Sequence, residues 1–437
     1  MIQHKIFAAL LLILIFAGCR KSDYLTEGNT EFFRDDGSGT GTVTWNKENE
    51  YILEGFVFVN DGQVLTIEPG TVIRFRSGQA ENASALIVAR GGRIIAAGTK
   101  EEPIIFTSEH DDLQGSVTKA ERGLWGGLII LGNAPVNLRE GEARVEGIPY
   151  FESRGIFGGS DEDDDSGVLR YVSIRHGGTN IGEGNEINGL TLGGVGNKTE
   201  IEFVEIISNE DDGIEIFGGT VNLKHIVISG CGDDAFDYDL GWTGNGQFWL
   251  GVESDFVGDN LIEAGGGVNP VIGSPYSLPT IYNATLVSNG NTGNGALAVF
   301  DRFAGGIIAN SILMNDPNGI LLQATEGNND SFSQWKNGKL DIRNNLFYNV
   351  SETNGEPVFK LIGVFTSEME NEWAAYFNAG QNETGNPGFD IGTNNFVPNP
   401  KITGNLSGYP NFWFQRVDFK GAFGEDNWIE GWTLLAE

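Results

Sequence analysis

The chain has 437 residues and a formal net charge of −33, from 27 basic and 60 acidic residues. That balance argues against nucleic acid as a partner, because the counterion release that drives such binding needs a basic surface. Gly is about twice its usual share at 64 residues, yet 40% of the chain is apolar, which excludes a disordered chain and points to a folded, β-rich one with a large core.

The N-terminus reads MIQHKIFAALLLILIFAGC, with a basic residue at Lys5, an apolar run from Ile6 to Ala17, and small residues before Cys19. The run is too short to span a bilayer as a mature helix, so residues 1–19 read as an export signal. Ala17-Gly18-Cys19 resembles the lipobox of bacterial lipoproteins, which implies lipidation of Cys19, although Phe16 stands where that motif usually has Leu. The expected location is the outer membrane, lipid-anchored, on the cell-surface or periplasmic face. Residues 20–42 are polar and Gly-rich, as a tether would be. Past Cys19 the only cysteine is Cys231, so no disulfide framework stabilises the fold.

From about residue 43 to 350, short apolar-alternating runs such as VLTIEPGTVIRF and GVLRYVSIRHGG are separated by Gly, Asn and Asp clusters, a pattern of strands and turns. The loop DEDDDSG, Asp161 to Gly167, is rich in oxygen ligands but lacks the Glu that would close a Ca²⁺-binding EF-hand loop. Further on, EFVEIISNEDDGIEIFGG from Glu202 aligns with KHIVISGCGDDAFDYDLG from Lys224, pairing Val204 with Ile226, Ile206 with Ile228 and Ile214 with Phe236. Matches extend upstream to INGLTL from Ile187 and downstream to DNLIEA from Asp259, GNGALA from Gly293 and PNGILL from Pro317. A unit of roughly 22 to 26 residues with two or three short strands is the size of one coil of a parallel β-helix. The expected fold is all-β, a right-handed parallel β-helix over 43–350 with a short helical or irregular extension over 351–437.

Stacking the coils sorts the acidic residues into columns. Asp211 stands over Asp233, with Asp259 next. A second column reads Asn188, Asp212, Asp234, Asn260, Asn294 and Asn318, as expected of side chains that hold a tight turn and tolerate a left-handed backbone. A third, within the strands, reads Thr191, Glu215, Asp237 and Glu263 and then becomes Leu297 and Leu321. Stacked acids in adjacent strands repel one another unless water, a basic partner or a cation intervenes. Two accounts therefore stay open for Glu215, Asp237 and Glu263: a solvated acidic face, or a cation or ligand site. Calcium is the expected ion, with Asp211, Asp233, Asp237 and Asp239 as candidate ligands, since carboxylates are hard oxygen donors and His and Cys are scarce. Trp242 and Trp249, in GWTGNGQFWLG, are candidates for stacking on a sugar ring, with core packing as the alternative.

Toward the C-terminus, SEMENEWAAYFNAG has Ser367 and Glu370 in capping-box spacing, Met369, Trp373 and Phe377 on one stripe, and Gly380 as a stop; a helix here would cover an open coil end or flank. Trp413, Trp428 and Trp432 are expected to pack the chain end onto the solenoid.

The pieces LTIEPGTVIRF, GTKEEPIIFTS, DDDSGVLRYVSIRHGG, GDDAFDYDLGW and GAFGEDNWIEGWT resemble a family of Bacteroidota-type outer-membrane lipoproteins with right-handed parallel β-helix domains, which implies the same fold and anchor but no settled activity. CGDDAF is also similar to the Gly-Asp-Asp segment of polygalacturonases, though the Asn-Thr-Asp, Gly-His-Gly and Arg-Ile-Lys segments of those enzymes are missing. No nucleophile elbow, Walker loop, HExxH or paired-cysteine motif appears. The leading expectation is a non-catalytic envelope lipoprotein whose β-helix binds a glycan or envelope-protein partner, with Ca²⁺ as an assisting ion. The alternatives are a polysaccharide hydrolase or lyase using the same carboxylates, and an accessory subunit of an outer-membrane transporter.

Overall fold

The computed structural model describes residues 29–182, 185–254, 257–290, 295–327, 329–351 and 357–437. The expected signal sequence and Cys19 lie outside the described residues. Among the described residues no helix is long and apolar enough to cross a membrane.

The strands stack in parallel register as a β-helix. One face is a ten-stranded sheet running in chain order from Phe56–Val59 to Phe359–Gly363, and an eighteen-stranded sheet forms the other sides. Pairing of Val204 with Ile226 and of Ile206 with Ile228 reproduces the 22-residue alignment. Their side chains, with Ile214, Phe236 and Tyr238, are buried in one continuous interior cluster. Chemically alike residues thus fill one line of the interior, coil after coil, which makes the repeat self-consistent.

The solenoid turns a corner within its long strands. Gly167–Arg175, Glu200–Ile207, Asn222–Ser229 and Asn245–Val252 each contain one non-glycine residue with positive φ, at Tyr171, Phe203, His225 and Phe248. Asn283, Asn310 and Asn344 continue this line with φ of 57°, 53° and 56°. The left-handed backbone expected at the column of Asp212 and Asp234 therefore occurs at a different corner. Each such residue costs backbone energy, offset here by stacking: Tyr171 on Phe203 at 4.5 Å, Phe203 on His225 at 4.2 Å and His225 on Phe248 at 4.8 Å.

The segment drawn as a tether includes a strand, Asn29–Arg34, paired with Asn49–Glu54, so parallel stacking begins before residue 43. It also runs past residue 350, through Phe359–Gly363 and Glu383–Thr384. The expected helix spans Ser367–Ala379, but its N-cap is Thr366, whose hydroxyl accepts from Met369 N–H at 3.3 Å, and not the Ser367 capping box. Trp373 is fully buried and stacks on Phe359 at 4.7 Å, covering the last coil. The chain end straps along the left-handed corner. Trp428 and Trp432 meet the Phe203 ring edge-on, and the buried Glu205 carboxylate accepts the N–H groups of Leu434 (3.0 Å) and Leu435 (2.9 Å).

Candidate functional site: an acidic column on the ten-stranded sheet

One strand position can be followed along the whole ten-stranded sheet. It reads Phe58, Ile87, Ile129, Thr191, Glu215, Asp237, Glu263, Val299, Leu321 and Lys360. The neighbours Ile214, Ile216, Phe236 and Tyr238 point into the core, so the pleat sends this line to the outer face. Its apolar start is covered by the insertion that follows Leu131: Phe58, Ile87 and Ile129 are buried with Val145 and Phe157. The acids begin where that cover ends.

Glu215 lies against Asp237, and Asp237 against Glu263, as the columns anticipate. The next member is Val299 and not Leu297, because this coil is two residues longer before its strand. The turn column shifts likewise: Asn260 is followed by Ala296, while Asn294 lies outside the described residues.

The turn column is a hydrogen-bond ladder between coils. Asp212 Oδ1 accepts from Asp234 N–H (2.9 Å), Asp234 Oδ1 from Asn260 N–H (2.6 Å) and Asn260 Oδ1 from Ala296 N–H (3.0 Å). Asn or Asp is needed because only a short side chain ending in an acceptor spans one coil step of about 4.8 Å to the next backbone amide.

Carboxylate oxygens of Asp212, Glu215 and Asp237 lie within 4.8 Å of one another, and two neighbouring groups, Asp211 with Asp212 and Asp233, and Asp233 with Asp234 and Asp259, meet the same distance. Asp211, Asp233, Asp237 and Asp239 do not converge on one point as expected from sequence. Successive residues of a strand face opposite ways, and Asp211 and Asp233 belong to the turn before the strand that carries Asp237. Asp239 forms the next outward position, where Arg302 pulls on its carboxyl and its own charge raises that of Asp237.

Burial and mutual repulsion hold these groups toward the neutral form. Burial, followed by the charge of Asp237, pushes the Glu215 carboxyl well above its usual range, and burial with Asp239 and Glu263 does the same to Asp237. Asp212 and Asp234 are raised in the same way. Asp211 is pushed up to about 7 by burial and by Glu146, and Asp239 to about 7 by burial, against the pull of Arg302. A hydrogen bond between Glu215 and Asp237 favours ionised Asp237, as expected of two carboxyl groups sharing a proton.

Arg302 was not singled out in the sequence. Its Nη2 donates to Glu263 Oε1 at 3.1 Å and its Nε to Asp301 Oδ1 at 2.9 Å. It reaches them because Gly265 has no side chain: a Cβ there would stand 2.5 Å from Arg302 Nη2 and 3.0 Å from Asp239 Cβ. Arg302 and Phe303 both have positive φ, 46° and 71°, a strained pair at the end of the column. Among the described residues the column thus has an ion pair at Glu263 and none at Glu215 or Asp237.

Two loops wall the strand ends. Asn137 donates its backbone N–H to Leu240 O (2.8 Å) and its side chain to Gly266 O (2.5 Å), joining the insertion after Leu131 to the loop after Ala264. These loops carry exposed Tyr150, Phe151 and Tyr276, at 82%, 88% and 38% exposure. On the other bank a cavity of about 630 Å³ opens beside Asp211 and Asp233, bounded also by Arg122, Asn180, Glu186 and Glu210.

Trp242 and Trp249 are not ligand platforms. Both are fully buried in the interior, their indole N–H groups donating to Val221 O (3.0 Å) and Leu223 O (3.1 Å), with Trp249 stacked on Phe236 at 4.2 Å. The DEDDDSG loop is also occupied: Asp164 accepts from Asn133 (3.0 Å), Asp165 pairs with Arg93 (2.7 Å) and Asp163 with Lys198 (3.1 Å). Cys231 is buried, its thiol pushed up to about 12 by burial, and is chemically quiet.

A parallel β-helix with an outward carboxylate column and an open groove defines a class of solenoid proteins that present polar side chains along a sheet face. Within it, the chain belongs to the pectate-lyase-like beta helix domain family, whose model matches residues 37–393. Membership gives a carbohydrate-related role at the level of the family. No curated protein and no solved structure matches the chain.

Proposed function

We propose that this protein is an outer-membrane lipoprotein, anchored through Cys19, whose acidic column binds a glycan with the help of a cation. The observation that carries this reading is the run of Glu215 and Asp237 on an outward strand position with, among the described residues, no basic side chain in an ion pair with either, beside a cavity lined by Asp211 and Asp233. Sugar hydroxyl groups suit carboxylate acceptors. The triad Asp212, Glu215 and Asp237, with the Asn188 amide beside it, offers the hard oxygen donors that Ca²⁺ prefers.

Binding is favoured over hydrolysis because the Gly-Asp-Asp segment stands alone: the Asn-Thr-Asp, Gly-His-Gly and Arg-Ile-Lys segments that accompany it in polygalacturonases are missing from the sequence.

Glycan-array binding by the full chain, with and without Ca²⁺, tests the reading, and reducing-sugar release from the same glycans separates a binder from an enzyme. Absence of binding to any glycan, or turnover of one, would reject it. The anchor is tested separately: Cys19→Ser should move the protein from the membrane to the soluble fraction, and unchanged retention would reject the lipoprotein assignment.

A further inference from the structure

The open half of the column is short of donors. Asn188 is 1% exposed and donates its Nδ2 to Glu215 Oε2 at 2.6 Å, while its Oδ1 is buried with no hydrogen-bond partner among the described residues. Asp237 Oδ1 and Asp239 Oδ1 are likewise buried without a partner among the described residues. All three are acceptors. A buried acceptor left unsatisfied is destabilising, so the arrangement calls for a ligand that brings several donors at once.

The other half of the column already holds such a group. Arg302 presents N–H donors to Glu263 and Asp301 through the gap at Gly265, so a nitrogen cation is what this line of carboxylates binds within the chain itself. Asp237 and Glu215 occupy the same strand position as Glu263 one and two coils back, and among the described residues neither has an ion pair.

We propose that the ligand is a cationic glycan, an oligosaccharide of amino sugars with free amines, whose ammonium group seats between Glu215, Asp237 and Asn188. This rests on the reading of the column as a glycan-binding surface and names the glycan's class. A primary ammonium has three N–H donors for three acceptors. Tetrahedral donors at N···O distances of about 2.8 Å place acceptors about 4.6 Å apart, which is compatible with the carboxylate oxygens of Glu215 and Asp237, within 4.8 Å of each other; the Asn188 amide adjoins Glu215 at 2.6 Å. The cavity beside the column suits an amine carried on a sugar: hydroxyl groups next to the amine meet Asp211 and Asp233, which line it. The net charge of −33 attracts a polycation over the Debye length and repels uronate-rich chains.

Calorimetry on the full chain in detergent tests this with a glucosamine tetramer, its fully N-acetylated counterpart, a galacturonate tetramer with and without Ca²⁺, and tetralysine. The glucosamine tetramer should bind, and N-acetylation, which removes the charge and two donors, should weaken binding about tenfold or more. Glu215→Gln with Asp237→Asn should weaken it to a similar degree while melting confirms that the variant folds, with Asp237→Asn alone as the substitute if it does not. Arg302→Gln, which frees Glu263 to extend the open column, should tighten binding. Equal binding of the N-acetylated tetramer, or equal binding of tetralysine, would overturn the amino-sugar assignment. Tight Ca²⁺-dependent binding of galacturonate in preference to glucosamine would also overturn it, while leaving the glycan-binding surface intact. If no sugar binds, both readings fall.

Discussion

Asp239 offers the sharpest test of the electrostatics. Its carboxyl is 8% exposed, one oxygen has no hydrogen-bond partner, and burial raises its pKa from 3.8 to about 7 despite Arg302. A carboxyl whose pKa is raised by folding contributes full stability below its unfolded pKa, and that stability is lost as pH rises through the folded value. The window here runs from pH 3.8 to about 7. At about 1.4 kcal/mol per pH unit, ionising Asp239 costs the fold only about 1 kcal/mol near pH 4.5, but about 4 kcal/mol near pH 8.

Asparagine copies the shape of the neutral acid and never ionises. Asp239→Asn should therefore match the wild type within about 1 kcal/mol near pH 4.5 and exceed it near pH 8. Protons redistribute onto Asp237 when Asp239 ionises, so the expected gain at high pH is about 2–4 kcal/mol. With roughly 2 cal/mol/K of unfolding entropy per residue, that corresponds to a rise in Tm of about 2–5 °C for a chain this long. Thermal melting across this range, in chelator and without sugar, reads the effect. The substitution removes one charge of a large net negative excess, so general self-repulsion changes little between the two proteins. Equal Tm values near pH 8, or a variant less stable there than the wild type, would refute the reasoning.

Asp234→Ala should cost about 1–3 kcal/mol in urea unfolding at acid pH, because the buried Asn260 N–H loses the acceptor it meets at 2.6 Å, and less as pH rises, because burial holds the Asp234 carboxyl well above its usual range. Glu205→Ala should release the chain end, which hydrogen exchange would report as lost protection at Leu434 and Leu435, whose N–H groups that carboxylate binds. Trp249→Ala should cost about 3–5 kcal/mol, as for other large buried side chains; in whatever fraction remains folded, glycan affinity should be unchanged, since the indole faces the interior.

The coil was legible because a parallel solenoid places chemically alike residues in line. Val204 and Ile226 meet in the structure as they do in the alignment, and Glu215 meets Asp237 for the same reason. Legibility ended where a coil changes length. Between Glu263 and its partner Val299 the chain inserts a long loop, and the Asn-Gly pair at Asn294 drew the alignment two residues out of register. Ala296 carries no trace of the turn column, because at that step the ladder uses only its backbone N–H. Trp249 shows the opposite case: Val204 and Ile226 lead to it in the same interior line, so carrying the alignment one coil further identifies a core residue.

Arg302 was hidden by a different cause. It lies 39 residues from Glu263, and the contact depends on a glycine whose role is to be absent as a side chain. Acidic residues near one another in sequence advertise a negative site, whereas the group that neutralises part of it arrives from the following coil through a gap. The consequence for the site is that its charge is graded along the axis: neutralised at Glu263 and Asp301 by Arg302, without an ion pair among the described residues at Glu215 and Asp237, and continued by Asp211 and Asp233 into the cavity. A ligand drawn to the negative end is thereby given a direction along the groove as well as a place in it. A uniform row of carboxylates would supply attraction without that orientation, which is the physical reason for an arginine to stand within the column, held there by a strained turn, rather than beyond its end.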